Sequence, residues 1–125
     1  MSSWDAPEAA LLSILPQLGR GPKRGGVFAL WLTVRVARGL LLEPPLPERS
    51  HRRRVQALER RLSSLTMPTP LRRALAAAVS QLRDGQPEAA AQALTQMVAP
   101  ARDTSGPEAG DAIALAARLA RQSLR

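Results

Sequence analysis

The longest apolar run in the chain covers residues 27–42 (VFALWLTVRVARGLLL) and constrains the fold more than any other stretch. In a helix built from this run, hydrophobic side chains point in almost every direction, which is typical of a helix enclosed by other helices. The remaining helical segments are amphipathic and need an apolar surface to cover. The run therefore predicts a central helix with the other helices packed around it.

A membrane-spanning helix is the alternative interpretation of this run. Its 16 residues extend about 24 Å as a helix, whereas a bilayer core requires about 20 residues. Arg35 and Arg38 would each cost roughly 2.5–3.5 kcal/mol near the bilayer centre. No small-residue cleavage site of a signal peptide follows the run. We therefore expect a buried helix in a cytoplasmic protein, with Trp31 and Leu32 enclosed and the two arginines at one edge.

The rest of the chain shows helix signals and no alternating strand pattern. Helix starts are indicated by three sets of capping residues, namely Asp5 with Glu8, Thr69 with Pro70, and Ser105 with Glu108. The predicted order is a helix over 5–15, a basic linker over 19–26, the central helix over 27–42, a proline-rich connector over 43–47, and helices over about 48–65, 70–84, 87–99 and 107–124. This order predicts a single all-α domain over residues 1–125. We expect a compact bundle of five to six helices, in which a C-terminal helical hairpin precedes the terminal helix.

The third predicted helix has the clearest amphipathic pattern in the chain. Its apolar residues recur at helical spacing and are Val55, Leu58, Leu62 and Leu65. A rotation of about 100° per residue places a polar set on the opposite face, consisting of Arg49, Arg53, Gln56 and Arg60. We expect the apolar face to be buried and the arginine face to be exposed.

Positive charge is concentrated in the same part of the chain. The formal net charge is +8, and residues 20–73 carry 13 basic against 3 acidic residues, a net of +10 that leaves −2 for the remainder. Such a surface suits an acidic protein, a nucleic acid or an anionic membrane. A merely solvated face, or the arginine bias of a GC-rich genome, would give the same count. The candidate basic binding face consists of Arg49, Arg52, Arg53 and Arg60 in the third helix and of Arg20, Lys23 and Arg24 in the linker.

The composition argues against catalysis and against a metal or cofactor site. The chain has no cysteine and no tyrosine, and His51 is its one histidine. No set of nucleophile, base and orienting group can be proposed, and a lone histidine on an apolar helix face is typical of a packed residue. The glycine-rich linker lacks the Gly-Lys-Ser/Thr ending of a phosphate-binding P-loop. We therefore predict no enzymatic activity, no cofactor and no metal.

Two classes of function fit these features. The favoured one is a non-catalytic helical interaction or scaffold subunit whose partner is another protein, an acidic one included, or a second copy of the chain. The alternative is sequence-independent binding to nucleic-acid phosphates, as in a ribonucleoprotein subunit. With three aromatic residues in all, the chain offers no platform for stacking bases. An anionic membrane surface is the least favoured partner.

Overall fold

In the computed structural model, which describes residues 4–42 and 48–124, helices form nearly all of the chain. No strand occurs in these two ranges, so the predicted all-α class is confirmed. The helices are α1 (Asp5–Leu18), α2 (Pro22–Leu42), α3 (Glu48–Ser64), α4 (Thr69–Arg83), α5 (Pro87–Gln96), α6 (Val98–Ser105) and α7 (Pro107–Ser123). Because Met97 alone separates α5 from α6, these two act as one bent helix, and the described residues form six helical units. The predicted connector 43–47 lies outside the described residues.

The second helix is the centre of the bundle, as its sequence predicts. It packs against α1, α3, α4, α6 and α7. Its inner side is fully buried and consists of Val27, Ala29, Leu30, Thr33, Val34 and Ala37. Within the described ranges, no helix has the length and apolar character needed to cross a membrane.

The start of α2 differs from the predicted linker over 19–26. The helix begins at Pro22, so only residues 19–21 remain between α1 and α2. A side chain at Gly25 would overlap the Thr66 carbonyl oxygen, and one at Gly26 would lie 2.9 Å from the Leu71 side chain. These glycines therefore serve close helix packing, and the prediction of a flexible linker over 22–26 is wrong because it treated both as loop residues.

The outer side of α2 is less covered than the apolar sequence predicts. Phe28 and Trp31 are half-buried, and their ring centroids are 5.4 Å apart. The Arg35 guanidinium lies 5.3 Å from the centroid of the Trp31 ring, within cation–π range. Leu32 is also half-buried, so the expectation that Trp31 and Leu32 are enclosed is wrong. Trp31 and Leu32 pack partly against the core, and the Trp31 indole N–H is buried without a hydrogen-bond partner among the described residues.

None of the three predicted helix caps forms. The residues that precede α1, α4 and α7 are Trp4, Pro68 and Gly106, and none of these ends has a side-chain capping hydrogen bond. Trp4 precedes α1, and an Asp5 carboxylate oxygen instead accepts a hydrogen bond of 2.8 Å from Arg38. Glu8 lies 3.7 Å from the same guanidinium. Ser105 is the last residue of α6, and its buried hydroxyl has no hydrogen-bond partner among the described residues. The two carboxylates thus favour the start of α1 through the helix dipole and also tie α1 to α2.

Residues 100–105, which belong to α6, were not predicted to be helical. The prediction ended the fifth helix at Ala99 because proline cannot continue a helix. In the structure Pro100 lies in the first turn of α6, where its missing N–H has no helical partner to lose. The buried Met97 stands at the bend between α5 and α6 and keeps helical hydrogen bonds on both sides.

The predicted hairpin forms between α4 and α5. The turn contains Gly85 at a φ of 69°, in the left-handed region that favours glycine. Leu71, Leu75, Val79 and Leu82 form the buried side of α4, together with Ala78. Because the turn is so short, α5 folds back on α4 and supplies buried alanines to the core.

The core position of α3 can be tested by comparing its two faces. Leu58 is 3% exposed, and we expect Leu58→Ala to lower the free energy of unfolding by about 2–4 kcal/mol because it leaves a cavity. Gln56→Ala on the exposed face should change it by less than about 0.5 kcal/mol. Urea unfolding of both variants measures the difference. Equal losses would mean that α3 does not bury this face.

The close approach of α2 to the connection after α3 can be tested at two glycines. Although alanine favours helices, we expect Gly25→Ala to destabilise the protein by about 1–3 kcal/mol because backbone at Thr66 must move. Gly39→Ala is the control, since its new methyl group meets only the flexible end of the Arg54 side chain. It should stabilise by about 0.5–1 kcal/mol. Thermal melting compares the two, and stabilisation by both changes would contradict the packing.

Candidate functional site

The two faces of α3 are arranged as the sequence predicts. Val55, Leu58 and Leu62 are buried in the core, whereas Leu65, the fourth residue of the predicted apolar face, follows the end of α3 and is half-buried. The opposite face is exposed and carries the predicted residues Arg49, Arg52, Arg53, Gln56 and Arg60. Because the apolar face holds the helix in place, the arginine side chains project from a fixed backbone.

Three adjoining depressions begin on this exposed face and end between α3 and α4, and we call them together the α3 trough. The first lies near the start of α3 and is lined by Arg49, Arg52, Arg53 and Gln56. The second shares Gln56 with the first and is completed by Glu59, Arg60 and Ser63. The third, the α3–α4 groove, shares Glu59 and Ser63 with the second. The basic face is therefore continuous with a groove between two helices.

The α3–α4 groove has an apolar floor and a polar rim. Its volume is about 340 Å³. The floor and the α4 wall are apolar and consist of Leu62, Met67, Leu75, Ala76 and Val79. The rim is formed by Glu59, Ser63, Arg72, Ser80 and Arg83. Along the whole trough, six arginines face one glutamate, a net formal charge of +5.

Hydrogen bonds at both ends clamp α3 to α4. Arg72 of α4 donates to the carbonyl oxygen of Leu62 in the last turn of α3, at 3.0 Å, and to that of Leu65 just after the helix. The Leu62 carbonyl oxygen also accepts the Leu65 backbone N–H at 3.3 Å. At the other end, His51 Nε2 lies 2.6 Å from the Leu82 carbonyl oxygen in the last turn of α4. Since a carbonyl only accepts, Nε2 is the donor. Each helix thus caps the C-terminus of the other, and His51 has the packing role that its isolation predicted.

A weaker ion pair crosses the groove. Arg83 Nη1 of α4 lies 3.6 Å from Glu59 Oε1 of α3, and Arg83 also donates to the Ser80 hydroxyl at 3.2 Å. Glu59 Oε1 is shielded from water and has no hydrogen-bond partner among the described residues. The one acidic side chain of the trough is therefore held at the rim by an arginine, which leaves the trough positive.

The linker residues of the predicted face lie elsewhere. Arg20, Lys23 and Arg24 are exposed, and Arg24 donates to the Gly19 carbonyl oxygen at 3.0 Å. The contact between Gly25 and Thr66 puts the start of α2 beside the far end of α3. None of the three lines any of the depressions, and this end of α3 is about 20 Å from Arg53 at 1.5 Å per residue. The structure brings four of the seven predicted residues into one trough and leaves these three outside it.

Comparisons with protein-family models, with curated proteins and with solved structures gave no match. Among the described side chains, no three of histidine, aspartate and glutamate are grouped as a metal site would require. The case for a function therefore depends on the geometry of the α3 trough.

The sequence did not indicate the α3–α4 groove or the role of Arg72. Both depend on how α3 and α4 pair, which the pattern of either helix alone does not specify. One signal was available: an arginine in the first turns of a helix is well placed to reach the carbonyls at the end of an antiparallel neighbour.

The capping role of Arg72 gives a test with a neighbouring control. We expect Arg72→Gln to lower the free energy of unfolding by about 1–2 kcal/mol, because it removes charge-assisted hydrogen bonds at the end of α3. Arg73→Gln removes the same charge from an exposed position and should cost less than about 0.5 kcal/mol. Chemical unfolding measures both, and similar values would show that Arg72 does not hold the two helices together.

Proposed function

We propose that this protein is a non-catalytic helical interaction subunit that binds an acidic segment of another protein along the α3 trough. The observation that carries the proposal is the continuity of the trough, in which six arginines and one glutamate lead into an apolar groove. Protein segments combine carboxylates with apolar side chains, so a protein complements both parts. The proposal keeps the cytoplasmic location expected from the sequence.

A protein partner fits the trough better than a nucleic acid does. The phosphates of a nucleic acid could pair with the arginines, but the sugar–phosphate backbone has no apolar group to pack against the floor of the groove. Bases could fill a groove only by stacking, and among the described residues that line the trough none is aromatic. Sequence-independent binding of nucleic acid stays the second candidate because the exposed arginines of α3 form a row, as phosphate contacts require.

Self-association through the trough is disfavoured by charge. In a two-fold symmetric dimer the same surface patch of both copies would meet. Each trough carries a net formal charge of +5, so the two faces would repel one another. A different, acidic partner is therefore preferred to a second copy at this surface.

Charge removal on α3 tests the proposal. Arg49, Arg53 and Arg60 are changed together to Gln, and the control changes the exposed Arg73, Arg118 and Arg121 to Gln. Both variants lower the formal net charge from +8 to +5 and should melt like the native protein. We expect the α3 variant to bind fluorescent glutamate-rich polypeptide at least about tenfold more weakly, a loss of about 1.4 kcal/mol. The affinity of the control should fall less than about threefold. Equal losses of affinity in the two variants would mean that net charge alone explains the effect.

The same variants separate protein binding from nucleic-acid binding. We expect weak binding of the native protein to duplex DNA, which disappears as salt approaches physiological strength. Duplex binding tighter than micromolar at that salt, lost in the α3 variant, would contradict the proposal. The log–log salt slope would then shrink by up to about 0.9 for each phosphate contact removed, in favour of the nucleic-acid alternative.

A further inference from the structure

We propose that the α3–α4 groove is the specificity site of this surface and receives one large apolar side chain from an acidic amphipathic helix of the partner protein. This inference rests on the proposed function and specifies it. It assigns the strength of attraction to the arginines and the choice of partner to the groove.

The size and lining of the groove suit a single apolar anchor. A volume of about 340 Å³ lies at the small end of ligand-binding clefts, enough for one leucine, methionine or phenylalanine side chain. Leu62, Met67 and Val79 are largely buried and present apolar atoms at the floor, while Ala76 on the α4 wall is exposed and adds no bulk. An incoming side chain would thus be desolvated on several sides.

The charges around the groove select an acidic helix. Arg72 is held in place by its hydrogen bonds to the end of α3. Arg83 stands on the opposite part of the rim, where it also pairs with Glu59 and with its neighbour Asp84. The trough then continues past Arg60 to Arg53 and Arg49 on α3. A basic segment would be repelled by these arginines, and a neutral segment would have no charge to pair with them. Carboxylates on one side of an apolar anchor complement them.

The length of the trough sets the length of the partner segment. Ser63 in the groove and Arg49 at the far end of the trough are 14 residues apart on α3, about 21 Å along the helix axis. A partner helix lying along α3 needs about four turns to span this distance. Because α3 and α4 form a groove between two helices and no exposed strand edge lies nearby in the described chain, a helix in the groove is favoured over an extended strand.

The clamps between α3 and α4 keep the groove preformed. His51 bonds the end of α4, and Arg72 bonds the end of α3, on either side of the groove. A site that is already ordered loses less conformational freedom on binding, so more of the contact energy appears as affinity. The groove therefore discriminates partners by shape as well as by polarity.

The test uses a panel of stapled helical peptides of about 14 residues, made of glutamate and alanine, in which one leucine occupies each position in turn. The reference, called the all-alanine peptide, keeps the same glutamates and has alanine at every scanned position. We expect leucine at one position, or at positions one turn apart, to tighten binding at least about tenfold, because three more carbon atoms are buried. Fluorescence anisotropy measures the affinities with the native protein.

Two matched variants then locate the leucine. Ala76→Met fills the groove, whereas Ala77→Met places the same side chain on the same exposed helix outside the groove lining. Methionine favours helices nearly as well as alanine, so both variants should fold. We expect Ala76→Met to reduce leucine-peptide binding to the level of the all-alanine peptide and to leave that reference unchanged. Ala77→Met should change neither affinity.

The outcomes distinguish the two proposals. If all acidic peptides bind alike, lose affinity in the α3 arginine variant and ignore Ala76→Met, the groove inference is overturned while the proposed function stands. If leucine tightens peptide binding equally in both methionine variants, the leucine side chain binds outside the groove, and the groove inference is again overturned. If no peptide binds, both proposals are overturned, and duplex binding at physiological salt would then support the nucleic-acid alternative.

Discussion

Close packing of the other elements against α2 is the constraint on which the rest of the structure depends. The protein has three aromatic residues, and of these only Trp4 is buried in the core. Leucines, valines and many alanines fill the interior instead. Small side chains exclude water only when helices approach closely, so α2 carries Gly25 and Gly26 where it meets Thr66 and Leu71. These contacts hold the connection at Thr66 and the start of α4 against α2.

The pairing of α3 with α4 links this packing to the proposed binding surface. The apolar face of α3 is buried in the core, so the arginines of α3 lie on the exposed face of a rigid helix. Reciprocal capping by Arg72 and His51 then sets the distance between the two helices. A groove remains between them because the small Ala76 stands on its wall. The same contacts that stabilise the pair thus shape the site.

Several errors of the sequence interpretation have one physical origin. Glycine and proline at 22–26 and proline at 100 were interpreted from local preference, as a linker and a helix end. Tertiary packing reversed both interpretations, because glycine also permits backbone contact and proline is also tolerated in a first helical turn. The carboxylate of Asp5 was assigned to a local cap, but Arg38 of a neighbouring helix competes for it. Local signals fail where a distant group supplies the better partner.

The sequence alone determined the helical class, the central place of α2 and the division of α3 into a buried and a basic face. These features depend on the spacing of apolar residues within a single helix, and each helix carries that spacing in its own residues. Only the tertiary structure decided that four of the seven predicted basic residues share a trough, that Arg72 and His51 clamp two helices, and that an apolar groove adjoins the arginines. Each of these features depends on the register and the distance between helices. Both are determined by contacts between side chains that lie far apart in the chain.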